Sequence, residues 1–251
     1  MAQSATLTLC RLFQKLCLTY SVPAHCSPIV NSLSTDFCPS TRVTQSKTEN
    51  TRRLIIDGLN CAALSRAQME RTRDGGIVAL NLTSILPWSN FTASMQGLAT
   101  KLAAIEEMAD LVVVAVSTAD IEQARVDNRV AIILGAQNST LVEDDLGLLR
   151  VLQRVGFRIL QPTYNEHNRL GDGATGEPFG PQDQGLRELG RQWVQEMNRL
   201  HMLIDISHSG YGTCADVIEA SADPVIFSHA NARALCDSPR NKPDDLIKAI
   251  A

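Results

Sequence analysis

Two histidines, each directly after a serine at the end of a short apolar run, are the residues best placed to do chemistry. Ser207-His208 follows the run 202–206, and Ser228-His229 follows the run 224–227. Runs of this length are typical of buried strands, and the carboxyl edge of a parallel α/β sheet is where catalytic side chains gather. Two neutral imidazoles at neighbouring strand ends are a common start for a Zn²⁺ site.

A single Ser-His pair at a strand end is more simply interpreted as a polar terminus that hydrogen-bonds nearby backbone. The repetition of the same design favours the metal site instead. Between the two pairs lies the helix-like stretch 213–221, whose length suits the crossover between two parallel strands. We therefore expect His208 and His229 to project into one pocket.

The elements before this region alternate between strand and helix patterns. Apolar runs predict strands at 54–56, 77–82, 111–116, 131–135 and 158–164, and helical spacing of apolar residues predicts helices at 65–74, 91–108, from about 144, and 186–200. This alternation predicts an all-parallel α/β fold. A barrel is favoured over an open dinucleotide-binding sheet because no GxGxxG motif follows the first strand.

The composition narrows the class of protein. The chain has 251 residues, 44% of them hydrophobic, and a net charge of −4, which suits one core of about barrel size. The acidic balance argues against nucleic-acid binding. No apolar run approaches the roughly 20 residues of a membrane span. The seven cysteines show no CxxC spacing, so we expect free thiols and a cytoplasmic location.

Residues 1–50 differ from the remainder. They hold fourteen Ser or Thr, four of the seven cysteines and two acidic residues. Arg11 and Lys15 interrupt the apolar stretch 7–18, so a secretory signal is not expected, and a weak amphipathic segment of transit-peptide type is the alternative. We predict a disordered or non-native extension over residues 1–50 and one incomplete barrel domain over residues 51–251.

Three segments of the second half carry a family resemblance. IDISHSG, PVIFSHANARAL and PRNKPDDLIKAI are similar to the membrane (renal) dipeptidase family of zinc metallopeptidases, peptidase family M19, and the resemblance runs from about Leu54 to the last residue. It implies a (β/α)₈ TIM-type barrel of the metal-dependent amidohydrolase kind that cleaves dipeptides at a two-zinc centre. The chain ends in a helix-like run after Pro243, so we expect the last strand or strands to be missing, with a longer protein or a partner completing the barrel.

The resemblance also implies roles for individual residues. The histidines matching His208 and His229 bind metal, and the arginine matching Arg240 holds the substrate carboxylate. Where typical members carry Thr-His, this chain has Thr163-Tyr164-Asn165, as many bacterial relatives do. Tyr164 is then expected to donate a hydrogen bond to the oxyanion, and Asn165 to contact the substrate.

Two segments depart from the family pattern. The metal-binding DGHND of typical members is replaced by a segment that carries Leu59 and Cys61, and the bridging glutamate by Gln137. Leucine cannot bind a metal, a thiolate would alter the geometry and charge, and a neutral amide is a poor bridge between two cations. We expect at most one zinc ion, bound by His208 and His229, with Cys61 and Gln137 as further candidate ligands.

Three functions are compatible with these residues. The first is a membrane-dipeptidase-like, metal-dependent hydrolase of dipeptides or similar small amides. The second is an amidohydrolase-type enzyme with one metal and a different small substrate. The third is a catalytically degenerate barrel that binds a small ligand or a partner, favoured by Leu59 and Gln137. The resemblance further implies that a homodimer is common on this scaffold.

Overall fold

The computed structural model describes residues 54–175 and 183–251. The extension predicted over residues 1–50 lies outside these ranges, as do the signal and transit-peptide interpretations of its apolar stretch.

The described residues build a parallel sheet, as the alternating pattern predicted. Its strands are β1 (Ile55–Asn60), β2 (Ile77–Thr83), β3 (Val112–Val114), β4 (Val130–Ala136), β5 (Phe157–Leu160) and β6 (Leu203–Ile204). Every pairing between them is parallel, and the main path runs β1-β2-β4-β5-β6.

Seven α-helices lie in the described part of the chain. They are α1 (Arg66–Asp74), α2 (Phe91–Glu106), α3 (Thr118–Val126), α4 (Gly147–Arg154), α5 (Glu188–Arg199), α6 (Tyr211–Ala220) and α7 (Asp244–Ile250), with a 3₁₀ turn at Thr140–Val142. The expected crossover between the two Ser-His pairs is α6.

The helix α3 was not predicted from the sequence. Few of its residues are buried, so the apolar spacing is weak, but its start is well defined. The Ser117 hydroxyl accepts a hydrogen bond from the Asp120 amide, and the Asp120 carboxylate accepts one from the Ser117 amide. This capping box was the sequence signal that periodicity alone overlooked.

Strand β3 occupies an unexpected place beside β4. Ala131 pairs with both Ala79 of β2 and Val113 of β3, so β3 lies on the edge of β4 opposite β2. Strand β5 pairs with the last residues of β4 on that same edge, because Gly135 pairs with both Thr83 and Ile159. The segment 111–116 is therefore a short accessory strand rather than a full member of the alternating series.

The two faces of the sheet bury different cores. Leu80, Leu82 and Leu134 face the helices and join the larger apolar cluster, while Ala79 and Ile133 face inward and join a smaller one. This alternation follows from the two-residue period of a strand. Toward the carboxyl ends of the strands, the inward-facing side chains become polar. By the two-residue period, Thr83, Gln137 and Asp205 lie on the same inner face as the small apolar cluster. The candidate site lies above the small inner core.

The predicted strand 224–227 is reduced to a single parallel bridge, between Asp205 and Ile226. The Ile226 amide donates to the Ile204 carbonyl at 3.0 Å, and the Ile206 amide donates to the Ile226 carbonyl at 2.9 Å. The segment therefore runs beside β6 in the expected direction, which brings the two Ser-His pairs to one edge. Among the described helices, none has both the length and the apolar character needed to cross a bilayer.

Candidate metal and substrate site

The two sequence-predicted histidines meet at the carboxyl edge of the sheet. The imidazole centroids of His208 and His229 are 4.9 Å apart, with the rings inclined by 53°. Both side chains follow adjacent parallel segments, β6 and the bridge at Ile226. Their proximity is thus a product of the strand pairing and of the α6 crossover.

Three further predicted residues surround His208. The Asn165 side-chain oxygen lies 2.8 Å from Nδ1 of His208, and the Gln137 side-chain oxygen lies 3.0 Å from Nε2. The Tyr164 ring stacks on the imidazole at a centroid distance of 4.1 Å. Together these contacts fix the plane of the His208 ring. Asn165, predicted to bind substrate, is in this structure also part of the support of His208.

Burial keeps His208 neutral. Loss of hydration is the main cause that lowers the pKa of His208 to about 2, and the positive charges of Arg240, of His229 when it is protonated, and of Lys242 act in the same direction. A neutral imidazole has one N–H, yet both ring nitrogens of His208 face amide oxygens. One of those contacts therefore lacks a proton. Rotation of an amide group would supply one, and a cation shared by the nitrogen and the oxygen would remove the need for it.

His229, whose ring lies beside that of His208, has one ring nitrogen without a partner among the described residues. Its Nδ1 lies 2.7 Å from the Ser228 hydroxyl oxygen, whereas Nε2 is buried with no hydrogen-bond partner among the described residues. Burial lowers the pKa of His229, with Arg240 and Lys242 acting in the same direction and Asp205 opposing them. The ring is a neutral imidazole with one nitrogen available, which is the form that binds a metal.

Cys61 and Gln137 are neighbours on the β1–β2 side of the site. The Gln137 amide group donates to the Thr83 hydroxyl at 2.9 Å and to the Cys61 thiol at 3.4 Å. The Lys101 ammonium donates to the Thr83 carbonyl at 2.5 Å, which holds the end of β2. Cys61 is exposed and lies beside Gln137 rather than against the two imidazoles.

Arg240 is anchored between the two Ser-His segments. One of its terminal NH₂ groups donates to the Ser207 carbonyl, and the other donates to the His229 carbonyl at 3.2 Å. Burial lowers the pKa of Arg240, but a guanidinium retains its proton at physiological pH. The site therefore has a fixed positive charge beside the two neutral imidazoles, as an anionic ligand group would require.

Sequence reasoning missed the carboxylate beneath the site. Asp205 is fully buried and accepts hydrogen bonds from both serines of the Ser-His pairs. Asp205 is the one charged residue in the apolar run 202–206, and a charged residue in a buried strand is rare unless its charge is compensated. Its presence in that run was the feature of the sequence that could have indicated a buried hydrogen-bond network.

The two imidazoles and Gln137 are the candidate metal donors that this part of the chain brings together. The ring centroids of His208 and His229 are 4.9 Å apart, Nε2 of His229 has no hydrogen-bond partner among the described residues, and the side-chain oxygen of Gln137 lies 3.0 Å from Nε2 of His208. Across residues 54–175 and 183–251, no three His, Cys, Asp or Glu side chains are grouped to hold a metal. The two imidazoles would therefore need a neutral ligand such as the Gln137 oxygen, or the Cys61 thiol, to hold a metal.

Comparison with known families and proteins gives a consistent result. The family model described as membrane dipeptidase, peptidase family M19, matches residues 24–251. A curated relative, the dipeptidase verJ of Clonostachys rogersoniana, is 27% identical over 212 residues, which are 78% of this chain and 54% of the relative. The chain thus spans about half the length of that relative.

Solved structures share the fold. An amidohydrolase from Pseudomonas aeruginosa superposes with a TM-score of 0.76 at 36% identity, over 80% of this chain and 60% of the other. A metallopeptidase from Rhodobacter sphaeroides, liganded with a phosphinate mimic of the dipeptide L-Ala-D-Ala, superposes with a TM-score of 0.69 at 22% identity, over 78% of this chain and 70% of the other. The parallel sheet described above is therefore part of a TIM-type barrel, which confirms the predicted fold class.

Proposed function

The chain belongs to the membrane dipeptidase family, peptidase family M19, whose members are metallopeptidases, and from this premise we propose that it is a metal-dependent hydrolase of dipeptides or similar small amides. The proposed cofactor is one zinc ion, held by His208 and His229 with Gln137 as a weaker ligand. Cys61, exposed and 3.4 Å from the Gln137 side-chain nitrogen, is a fourth candidate ligand.

The observation that carries this proposal is the buried, unpartnered Nε2 of His229, on a ring whose centroid lies 4.9 Å from that of His208. A buried polar atom without a partner is costly, by about 1–3 kcal/mol. Nε2 of His229 makes no hydrogen bond in the described structure, whereas a shared cation would use one lone pair from each imidazole. Such an ion would supply a water molecule with a pKa of about 7 as the nucleophile.

The residues of the chain itself orient the substrate. The guanidinium of Arg240, fixed by the Ser207 and His229 carbonyls, would receive the free carboxylate of the substrate through charge-assisted hydrogen bonds. Tyr164, stacked on His208, would donate its hydroxyl proton to the oxygen that becomes negative during attack on the amide. A dipeptide satisfies both requirements, because its carboxylate and its amide carbonyl are a few bonds apart.

A dipeptide assay with and without metal tests the proposal. We expect hydrolysis by the zinc-loaded chain, no hydrolysis after chelation, and recovery on addition of zinc. The same dipeptide with a C-terminal amide should be a much poorer substrate, because it lacks the carboxylate that Arg240 would hold. If metal binds but neither dipeptide is cut, the chain is a binding protein built on the family barrel, and the hydrolase proposal is wrong.

A further inference from the structure

Asp205 receives an unusual number of hydrogen bonds for one buried side chain. Its Oδ1 accepts from the Ser207 amide at 3.0 Å, the Ser207 hydroxyl at 2.5 Å and the Ser228 amide at 3.2 Å. Its Oδ2 accepts from the Gln161 side-chain amide and from the Ser228 hydroxyl, both at 2.5 Å. These five donors compensate a fully buried charge, which without them would be strongly destabilising.

These contacts fix the direction of one proton chain. A carboxylate oxygen has no proton to give, so the Ser228 hydroxyl donates its only proton to Asp205. The same hydroxyl oxygen lies 2.7 Å from Nδ1 of His229, and it can only accept there. The proton of the neutral His229 ring is therefore on Nδ1, and Nε2 keeps its lone pair.

The same carboxylate holds the two Ser-His segments together. The Ser207 hydroxyl donates to Asp205 and accepts from the His229 amide at 3.1 Å. Both segments are thereby held at Asp205, beneath the site, although Ser207 and His229 are 22 residues apart along the chain. No other described carboxylate bonds residues of both segments.

We propose that Asp205 is a positioning residue, which acts through Ser228 to hold His229 as the Nδ1–H tautomer with Nε2 directed at the metal position. This inference rests on the proposed function, because the tautomer matters only if Nε2 binds a ligand. Groups that orient metal-binding histidines in this way are worth about 10- to 100-fold in metal affinity. In this chain a serine hydroxyl transmits the effect.

The tautomer is measured directly, without metal or substrate, from the ¹⁵N chemical shifts of the imidazoles in the full chain. The chain has five histidines, and the His229 signals are identified by their loss in His229→Gln. We expect wild-type His229 to be protonated on Nδ1. A wild-type ring protonated mainly on Nε2 would overturn the proposal.

Asp205→Asn should reverse the proton chain. The oxygen of the introduced amide would take the place of Oδ1, which receives two backbone N–H groups, so its NH₂ group would face Ser228 and Gln161. Gln161 has a buried oxygen without a partner in the described structure and could accept from that group after rotation. Ser228 would then donate to Nδ1, and His229 would become protonated on Nε2.

Ser228→Ala and Gln161→Met form a matched pair. Each removes one 2.5 Å hydrogen bond to Oδ2 of Asp205, but only the Ser228 hydroxyl contacts the His229 ring. Zinc affinity, measured by competition with a chromogenic chelator, should fall about 10- to 100-fold in Ser228→Ala and stay within about threefold of wild type in Gln161→Met. Equal losses in both variants would show a merely structural network and overturn the proposal. If wild-type zinc binding is absent while the tautomer behaves as described, the positioning role stands and the proposed hydrolase function fails.

Discussion

Gly58 lies directly against the carbonyl group of Ser228, so close that a Cβ atom at position 58 would overlap the carbonyl oxygen. Strand β1 and the turn into His229 are therefore in backbone contact, with no side chain between them. This close approach gives a glycine at position 58 a specific purpose, and it couples β1 to the geometry of the candidate metal site.

Gly58→Ala should therefore destabilise the fold and move His229. Because the neighbour is backbone and not a flexible side chain, we expect a loss of about 1–3 kcal/mol in the free energy of unfolding, as for other overpacked sites, together with weaker zinc binding. Denaturant unfolding and chelator competition measure the two effects.

Gly97→Ala is the control, because a Cβ at Gly97 of α2 meets no atom within 4 Å. It should stabilise the chain by up to about 1 kcal/mol through helix propensity, and a Gly58→Ala variant that behaves like this control would contradict the assignment of backbone contact.

Gln137→Glu should strengthen metal binding. The new carboxylate would place a negative charge 3.0 Å from Nε2 of His208, and the Thr83 hydroxyl can rotate to donate to it. An anionic oxygen is a better ligand for a divalent cation than a neutral amide oxygen, so zinc affinity should rise by about tenfold or more.

Asn138→Asp is the control for charge alone. It adds the same charge one residue further along the chain. The side-chain oxygen of Asn138 accepts a hydrogen bond from the Asn168 side-chain amide and makes no hydrogen bond with His208 in the described structure. Equal gains in affinity from both variants would indicate a general electrostatic effect and remove Gln137 from the metal site.

Arg240→Ala should weaken binding of ligands that carry a free carboxylate. Charged hydrogen bonds are worth about 1.5–3 kcal/mol, so calorimetry should show a loss of about 10- to 100-fold in affinity for a dipeptide. Binding of the corresponding C-terminal amide should change little. Arg240→Lys keeps the charge but cannot donate to the Ser207 and His229 carbonyls together, and it should restore only part of the affinity. Unchanged dipeptide affinity in Arg240→Ala would remove the carboxylate clamp.

Cys214 should be inert while the chain is folded. Burial raises the pKa of the Cys214 thiol to about 11, with the Lys242 ammonium acting in the opposite direction. At pH 8 only about one thiol in a thousand is then the reactive thiolate. Alkylation followed by peptide mapping should label the exposed Cys236 well before Cys214, and unfolding should abolish the difference. Similar labelling rates at both positions in the folded chain would contradict the burial of α6 against Lys242.

The periodic parts of the fold could be predicted from sequence because burial imposes a simple spacing. The strands at Ile77–Thr83 and Val130–Ala136 are almost wholly buried, and most of their residues are apolar. The helix Thr118–Val126 could not be found by that means, since it rests on its cap rather than on an apolar face. The position of β3 depends on which edge of β4 it pairs with, and spacing along the chain does not encode that choice.

The parts of the candidate site that could be predicted from sequence are the polar side chains that directly follow predicted strands. His208, His229 and Arg240 come together as the sequence indicated, and Gln137, Tyr164 and Asn165 lie around His208. The roles of these residues in metal and substrate binding stay predictions. The support beneath them was missed, because Asp205 and Ser228 acquire their significance only from hydrogen bonds across 23 residues of chain. Such contacts arise from the parallel packing of two segments, which residue types alone do not reveal.

The number of zinc ions bound per chain is the measurement that tests the central claim most directly. Native mass spectrometry of the zinc-loaded full chain should show one ion in the wild type and none in His208→Ala/His229→Ala. His201→Asn is the control, since it removes an imidazole elsewhere and asparagine tolerates the left-handed backbone at that position (φ 53°); it should retain one ion. No ion in the wild type, or one ion that survives loss of both His208 and His229, would contradict the proposed metal site.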